Sequence, residues 1–436
     1  MKAELVVKGK LWVRGSFIEG GLGILDGKVV EIFGEGIIPK DVKICDFSRN
    51  LVIPGLVDPH VHLRDMDLYY KEDFFSGTSS AVAGGYTTVL DMPNTVPPTN
   101  NSQALEEKRR IAKRKVVCDV GFHLGFNPDP KEITRCLDTG VFSIKIYPND
   151  LRLLYESGTD CVLHLKKSNL PLYVHAEDQD IIEKRRKELG LKVSLSQHAF
   201  VRPPEAELVA LERALGLFRG FRVHFAHITL ADSLNKLTSR DRTAVTFEVT
   251  PHHLALTEQT AIKSLAVAKV NPPLRTLSDV KSLRVALDKG EVDIIASDHA
   301  PHEISEKESN EYDEVPPGFP SLETSFSLLF TLVSKGYLNF NAIVAAMTER
   351  PAKIFNIVNK GMLEKGYDAD LFIFDPREWW KVRPELFKSK AKFSPFEGVE
   401  LKGRVKATYI RGVEVFRDGS MEVSPGYGKI LERGRG

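Results

Sequence analysis

Hydrophobic positions along this chain follow two regimes. Near both ends they form short runs of extended type, broken by turn residues. Leu5-Val6-Val7-Lys8-Gly9-Lys10 and Leu22-Gly23-Ile24-Leu25-Asp26-Gly27-Lys28-Val29-Val30 read as strands, with Asp26-Gly27 as a tight hairpin turn. Asp370-Leu371-Phe372-Ile373-Phe374-Asp375 repeats the pattern, and Thr408 to Phe416 reads as a hairpin around Arg411-Gly412. In the middle, eight apolar runs alternate with helical spacing: 51–61, Tyr86–Met92, Cys118–Gly125, Ser143–Tyr147, Leu170–His175, Phe221–His227, Ala244–Thr250 and Val292–Ser297. Helices are predicted between most of them, at 102–115, 178–190, 204–217 and 277–289. Eight such runs predict a closed (β/α)8 TIM barrel over 53–355. Residues 1–52 and 356–436 pair into a small β-sandwich domain. A doubly wound open sheet is less favoured, because no Gly-rich dinucleotide fingerprint follows the first run.

Composition agrees with that size and narrows the partners. The 436 residues are 42% hydrophobic and 27% charged, which suits one large barrel with an accessory domain. A formal net charge of +1, with both signs interspersed, gives no electrostatic basis for a nucleic-acid or anionic-membrane partner. The four cysteines, Cys45, Cys118, Cys136 and Cys161, form no CxxC pair and read as reduced. No leader-type or membrane-length apolar block is present, so the expected compartment is the cytoplasm.

The chemistry gathers at the C-terminal ends of the apolar runs. His60 and His62 end the first, Lys145 lies near the end of the fourth, His175 ends the fifth, His227 ends the sixth, and Asp298 closes the eighth. In a (β/α)8 barrel those ends share one face, where active sites form. A single histidine after a strand is usually a packed core residue, but this set drawn from five strands is hard to explain as packing. Residues i and i+2 of a strand point the same way, so His60 and His62 can reach one metal. Lys145 sits between Ile144 and Ile146, where a cation is costly to bury. One reading pairs it with a carboxylate. The other is carboxylation of a neutral amine to a carbamate, whose two oxygens could bridge two zinc ions.

The other histidines sort less sharply. His123, His164, His198 and His224 lack a consistent strand-end position and read as structural. His252 and His253 follow the seventh run and could shape the pocket or orient ligands. His302, four residues after Asp298, could face a substrate. The polar segment 303–320 is expected to be an active-site loop, with Gly318 allowing close backbone approach to a ligand. Arg64, two residues beyond His62, would project to the same side if the first strand continued.

These residues lie in motifs that resemble the dihydroorotase family of cyclic amidohydrolases along nearly the whole chain. The motifs are Pro54-Gly55-Leu56-Val57-Asp58-Pro59-His60-Val61-His62-Leu63-Arg64-Asp65, Gly84 to Thr95, Tyr173-Val174-His175-Ala176-Glu177, Glu248 to Leu254, Asn271-Pro272-Pro273-Leu274-Arg275, Ser297 to His302 and Pro316 to Pro320. The resemblance implies two Zn2+ per chain. His60, His62 and Asp298 would bind one, His175 and His227 the other, and N6-carboxylated Lys145 would bridge them. It also implies that Arg64 and Asn94 hold a substrate carboxylate and that Asn271 and His302 contact the ring. Two departures stand out. Arg64-Asp65 is followed by Met66-Asp67 where the family usually has Pro-Gly, which bears on the loop carrying Arg64. Ala226 replaces a cysteine that some members link to an additional metal, which puts such a third site in doubt.

The reaction so implied is the reversible interconversion of N-carbamoyl-L-aspartate and L-dihydroorotate in pyrimidine biosynthesis, with Asp298 also carrying the proton. A homo-oligomer and an association with an aspartate transcarbamoylase are compatible with this reading. A dihydropyrimidinase, hydantoinase or allantoinase would share the metal ligands. Arg64 and Asn94 distinguish them, because they suit a ring bearing a carboxylate. An inactive scaffold homologue is the alternative from another class, and retention of every expected ligand argues against it.

Overall fold

The computed structural model describes residues 3–434 apart from 40, 138, 157, 158, 191 and 310. All eight apolar runs of the middle region contain strands. The barrel strands, in chain order, are Leu56–Val61, Tyr86–Asp91, Asp119–Phe122 continued by Leu124–Gly125, Ile144–Ile146, Leu172–Val174, Val223–Phe225, Val245–Val249 and Ile294–Ile295. Consecutive strands pair in parallel throughout. A parallel bridge between Val61 and His299 closes the ring, with the His62 N–H donating to the His299 carbonyl at 2.8 Å. Closure leaves no open sheet edge and brings all the strand ends to one mouth. The expected helices form at Ser102–Ala112, Gln179–Glu188, Pro204–Leu217 and Leu277–Asp288. No helix among the described residues is long and apolar enough to cross a membrane.

The first apolar run proves to be two strands. Residues up to Pro54 end a strand of the terminal sheet, Lys43–Pro54, and the barrel begins at Leu56. Gly55 marks the change, because a Cβ there would collide with the Thr87 side chain.

Both chain ends contribute to one eight-stranded sheet. Its spatial order is Ser420–Met421, Val413–Arg417, Glu400–Ile410, Leu371–Lys381, Lys43–Pro54, Leu5–Val13, Ser16–Leu25 and Lys28–Gly34. The two expected hairpin turns are present, with left-handed φ at Asp26 and Gly27 (50° and 73°) and at Arg411 and Gly412 (49° and 72°). Val7, Leu11, Leu22, Val52, Leu371, Ile373 and Tyr409 share the core of this sheet. An ion cluster ties it to the barrel. The Lys360 ammonium lies 2.6 Å from Asp119 of the third barrel strand, 2.9 Å from Asp368 and 2.7 Å from Asp370. The three carboxylates are close enough together to hold a cation, and Lys360 supplies it.

Candidate metal centre

The barrel mouth collects the strand-end residues. The Asp298 carboxylate lies 3.4 Å from His60 Nε2 and 3.2 Å from His62 Nε2. One ligand atom from each of these three residues falls within 4.8 Å of the other two, the arrangement needed to hold one metal ion. His62 is pushed down to about 4 by burial, so its ring is neutral and has a lone pair to give. Burial works against an ionised Asp298, but His60 and His62 hold its carboxyl well below the usual range.

A second pair stands beside the first. The His175 and His227 rings are 4.4 Å apart, and the His227 ring is 5.4 Å from that of His60. His175 Nε2 meets Glu177 at 2.6 Å, which leaves Nδ1 available, and His227 Nδ1 is buried without a hydrogen-bond partner among the described residues. Lys145 is 1% exposed, and its Nζ also has no hydrogen-bond partner among the described residues. The amine lies 4.4 Å from the centre of the Tyr173 ring, and burial lowers it to about 8. Among the described residues no carboxylate lies within ion-pair distance of it, although Glu248 and Asp298 act on it from further away. A buried amine without a hydrogen-bond partner among the described residues, and lowered by burial, fits a lysine that takes up CO2.

The sequence did not reveal what orients these ligands. His60 Nδ1 meets the fully buried Glu248 at 2.5 Å, and Tyr173 Oη donates to the same carboxylate. His62 Nδ1 donates to Asn94 Oδ1 at 2.6 Å. Each contact fixes one ring nitrogen as the donor and turns Nε2 towards Asp298, as a carboxylate or carbonyl behind a ligating histidine does. Asp58, raised to about 7 by burial, accepts from the N–H groups of His60 at 3.0 Å and Ser297 at 3.1 Å. It therefore links the first and eighth strands beneath the site. One signal was legible: Glu248 and Asp58 are acidic residues inside otherwise apolar strands, and such a residue needs a partner.

The residues expected to meet substrate are distributed as follows. Arg64 is 7% exposed, and its Nε donates to the Pro301 carbonyl at 3.2 Å. No ion pair binds it to a carboxylate among the described residues. The first strand does not continue to it. Extended pairing stops at Val61, and Arg64, Asp65 and Met66 take left-handed φ values of 56°, 53° and 52°. Asp65 secures this bend by accepting from the N–H groups of Met66 and Phe74 and from Lys115. A proline at position 66 could not adopt that φ, so the departure at Met66 matches the loop's shape. Asn94 is exposed, with its amide nitrogen left over from the His62 contact. Asn271 Oδ1 is buried without a partner among the described residues, and Asn271 lines a cavity of about 400 Å³ with Arg202, Lys269, Tyr312 and Pro317.

His302 lies beside Arg64, with both ring nitrogens engaged by protein groups. Gly318 has φ 121°, and a Cβ there would lie 2.6 Å from that of Ala300, so its close approach is made to Ala300 rather than to open space. The 303–320 segment, residue 310 apart, is pinned down rather than solvated throughout. Lys307 donates to Ala266 and Pro316 carbonyls, and Lys269 donates to Tyr312 and Val315 carbonyls. His123, His198 and His224 are satisfied core residues. His253 bonds to Thr250 and Pro272, whereas neither ring nitrogen of His252 has a partner among the described residues.

Comparison with known proteins places the chain in a family and a fold. Residues 51–415 match the model of the amidohydrolase family. A dihydroorotase of Methanothermobacter thermautotrophicus is 40% identical over 94% of this chain and 93% of its own length. A dihydroorotase of Pyrococcus horikoshii is 36% identical over 99% of this chain and 97% of its own. Among solved structures, an L-hydantoinase (dihydropyrimidinase) from Arthrobacter aurescens superimposes with a TM-score of 0.93 at 30% identity, covering 99% of this chain and 100% of that one. A dihydropyrimidinase from Brevibacillus agri gives 0.89 at 27% identity, with 99% of each chain covered.

Proposed function

The chain belongs to the amidohydrolase family, and on that basis we propose that it is a zinc-dependent cyclic amide hydrolase interconverting N-carbamoyl-L-aspartate and L-dihydroorotate. Arg64 is the observation that carries the choice of substrate. It is a buried guanidinium at the metal-site mouth with no ion pair in direct contact among the described residues; Asp91, Asp298 and Glu306 act on it only from a distance, and burial outweighs them in lowering its pKa. A substrate carboxylate completes it, and the free amide nitrogen of Asn94 adds a further donor.

The donor set fits two zinc ions. His60, His62 and Asp298 would hold one, His175 and His227 the other, and carboxylated Lys145 would bridge them. Zinc bound there would supply Lewis acidity, acidifying a water molecule and polarising the scissile carbonyl. Asp298, ionised and at hydrogen-bonding range of the His62 ring, would accept the proton of the attacking water. It would return that proton to the departing ring nitrogen, and the reverse sequence closes the ring. Glu248 and Asn94 would keep the two histidine rings in register through turnover. A homo-oligomer, a transcarbamoylase partner and a cytoplasmic location are compatible with this reading.

The fold likeness to the Arthrobacter aurescens L-hydantoinase favours a second reading, a hydantoinase or dihydropyrimidinase. One experiment separates them. The purified zinc-loaded chain is incubated separately with dihydroorotate, hydantoin, dihydrouracil and allantoin, and ring opening is followed. Fastest turnover of dihydroorotate is the expected result. Faster opening of hydantoin or dihydrouracil would replace this function with the second.

A further inference from the structure

His302 has four polar neighbours that do not all fit one protonation state. Its Nδ1 lies 3.1 Å from Lys71 Nζ and 3.6 Å from Glu306 Oε2, the latter beyond hydrogen-bonding range. Its Nε2 lies 3.0 Å from the Pro317 carbonyl and 3.3 Å from Arg64 Nη2. A lysine ammonium only donates, so Nδ1 must accept. Nε2 then carries the proton and donates to Pro317. Two N–H groups cannot bond to each other, so the 3.3 Å approach of Arg64 Nη2 is not a hydrogen bond. Lys71 is itself fixed, since Nζ donates to Glu306 at 2.5 Å and its side chain is 11% exposed. Glu306 belongs to the 303–320 segment, and Lys71 to the segment that follows Arg64.

We propose that Lys71 is a positioning residue that holds His302 in its Nε2–H tautomer and so keeps the Arg64 guanidinium free for the substrate carboxylate. This rests on the reading of Arg64 given under the proposed function. In the other tautomer Nε2 has a lone pair, which would accept from Arg64 Nη2 and lose the Pro317 bond. Arg64 would then spend a donor inside the protein. Burial, reinforced by the cations of Arg64, Lys307 and Lys71, holds the His302 imidazole neutral, so the choice lies between tautomers rather than charge states.

The test reads the tautomer directly. Metal-loaded, full-length protein labelled with 15N-histidine is examined by two-bond proton–nitrogen correlation, and His302 is assigned by its loss in His302→Gln. The wild type should show a protonated Nε2 and a bare Nδ1. Lys71→Met should move the proton to Nδ1 and raise KM for dihydroorotate about tenfold, with kcat within about threefold, as loss of a ground-state contact does. Lys71→Arg should retain both the tautomer and KM. Glu306→Gln, whose amide oxygen can still accept from Lys71 and so leaves the Lys71–His302 contact in place while removing the carboxylate charge near Nδ1, should also retain the tautomer. A bare Nε2 in the wild type, or an unchanged tautomer in Lys71→Met, overturns the proposal. So does a Glu306→Gln variant that changes the tautomer as Lys71→Met should. Should Lys71→Met not fold, the wild-type spectrum and the other two variants still decide. The tautomer is read without substrate, so failure of dihydroorotate to turn over would reject the proposed function and leave these spectra to judge Lys71.

Discussion

Replacing Arg64 with methionine separates the substrate readings most directly. The wild-type guanidinium is 7% exposed, donates through Nε to the Pro301 carbonyl, and lacks an ion-pair partner among the described residues. A carboxylate gripped by two parallel N–H groups gains two charge-assisted hydrogen bonds, worth about 1.5–3 kcal/mol each. Their loss, about 3–6 kcal/mol together, corresponds to roughly 10²- to 10⁴-fold in kcat/KM. Dihydroorotate hydrolysis and cyclisation of N-carbamoyl-aspartate should both fall by that factor. Dihydrouracil has no carboxylate, so its slow turnover should change little. Arg64→Lys should not restore the rate, because an ammonium cannot reproduce the planar fork. Stability should move the other way. Methionine of similar length removes a cation whose burial outweighs its distant carboxylates, so the unfolding midpoint should equal or exceed that of the wild type. Dihydroorotate turnover within about threefold of wild type, in a variant that folds and retains its metal, would refute the reasoning.

Other expectations follow from the same geometry. A crystal structure of the native metal-loaded chain should show a carbamate on Lys145, and Lys145→Ala should lose most activity and bind less zinc, with short carboxylic acids restoring part of it. An unmodified amine turned away from a single metal would contradict this. Asp298→Asn should lower kcat by at least about 10²-fold, the usual share of a proton carrier, and near-normal turnover in a zinc-replete variant would exclude that role. Glu248→Gln should weaken zinc affinity by roughly 10- to 100-fold through a poorly held His60, as measured by competition with a chelator. Glu323 tests a pH effect at a carboxyl outside the set of metal ligands. Burial raises its carboxyl from 4.5 to about 7, so between those values the folded chain holds a proton that the unfolded chain has lost. Stability from this group is full below about 4.5 and is lost as pH rises through about 7. Denaturant midpoints at pH 5 and pH 8 should therefore differ less in Glu323→Gln than in the wild type.

What the chain made legible, and what it hid, has a physical pattern. Apolar runs and the polar residues closing them were readable because a barrel buries its strands on both faces and exposes only their ends. That logic carried His60, His62, His175, His227 and Asp298 to one mouth without any knowledge of contacts. It failed at Gly55, where two strands of different sheets abut in one apolar run and only the Thr87 side chain marks the break. It failed again at Arg64, where an extended continuation was the natural assumption. Three successive left-handed residues, none of them glycine, turn the chain there instead. His227 and Asp298 share that backbone region, with φ of 31° and 49°. Local propensity disfavours each of these conformations, so no local rule would select them. They persist because contacts distant in sequence impose them. Asp65 holds the Arg64 bend through Phe74 and Lys115, the His227 N–H donates to Glu248, and the residues on either side of Asp298 are held by Ser297 N–H donating to Asp58 and Ser321 N–H donating to His299 Nδ1. The partners that orient the site are therefore the part a sequence conceals best. Glu248 is 188 residues from the His60 ring it steadies, and Lys71 is 231 residues from His302. Spacing along a chain can nominate a ligand, but which ring nitrogen that ligand presents is decided by residues that only the closed barrel brings near.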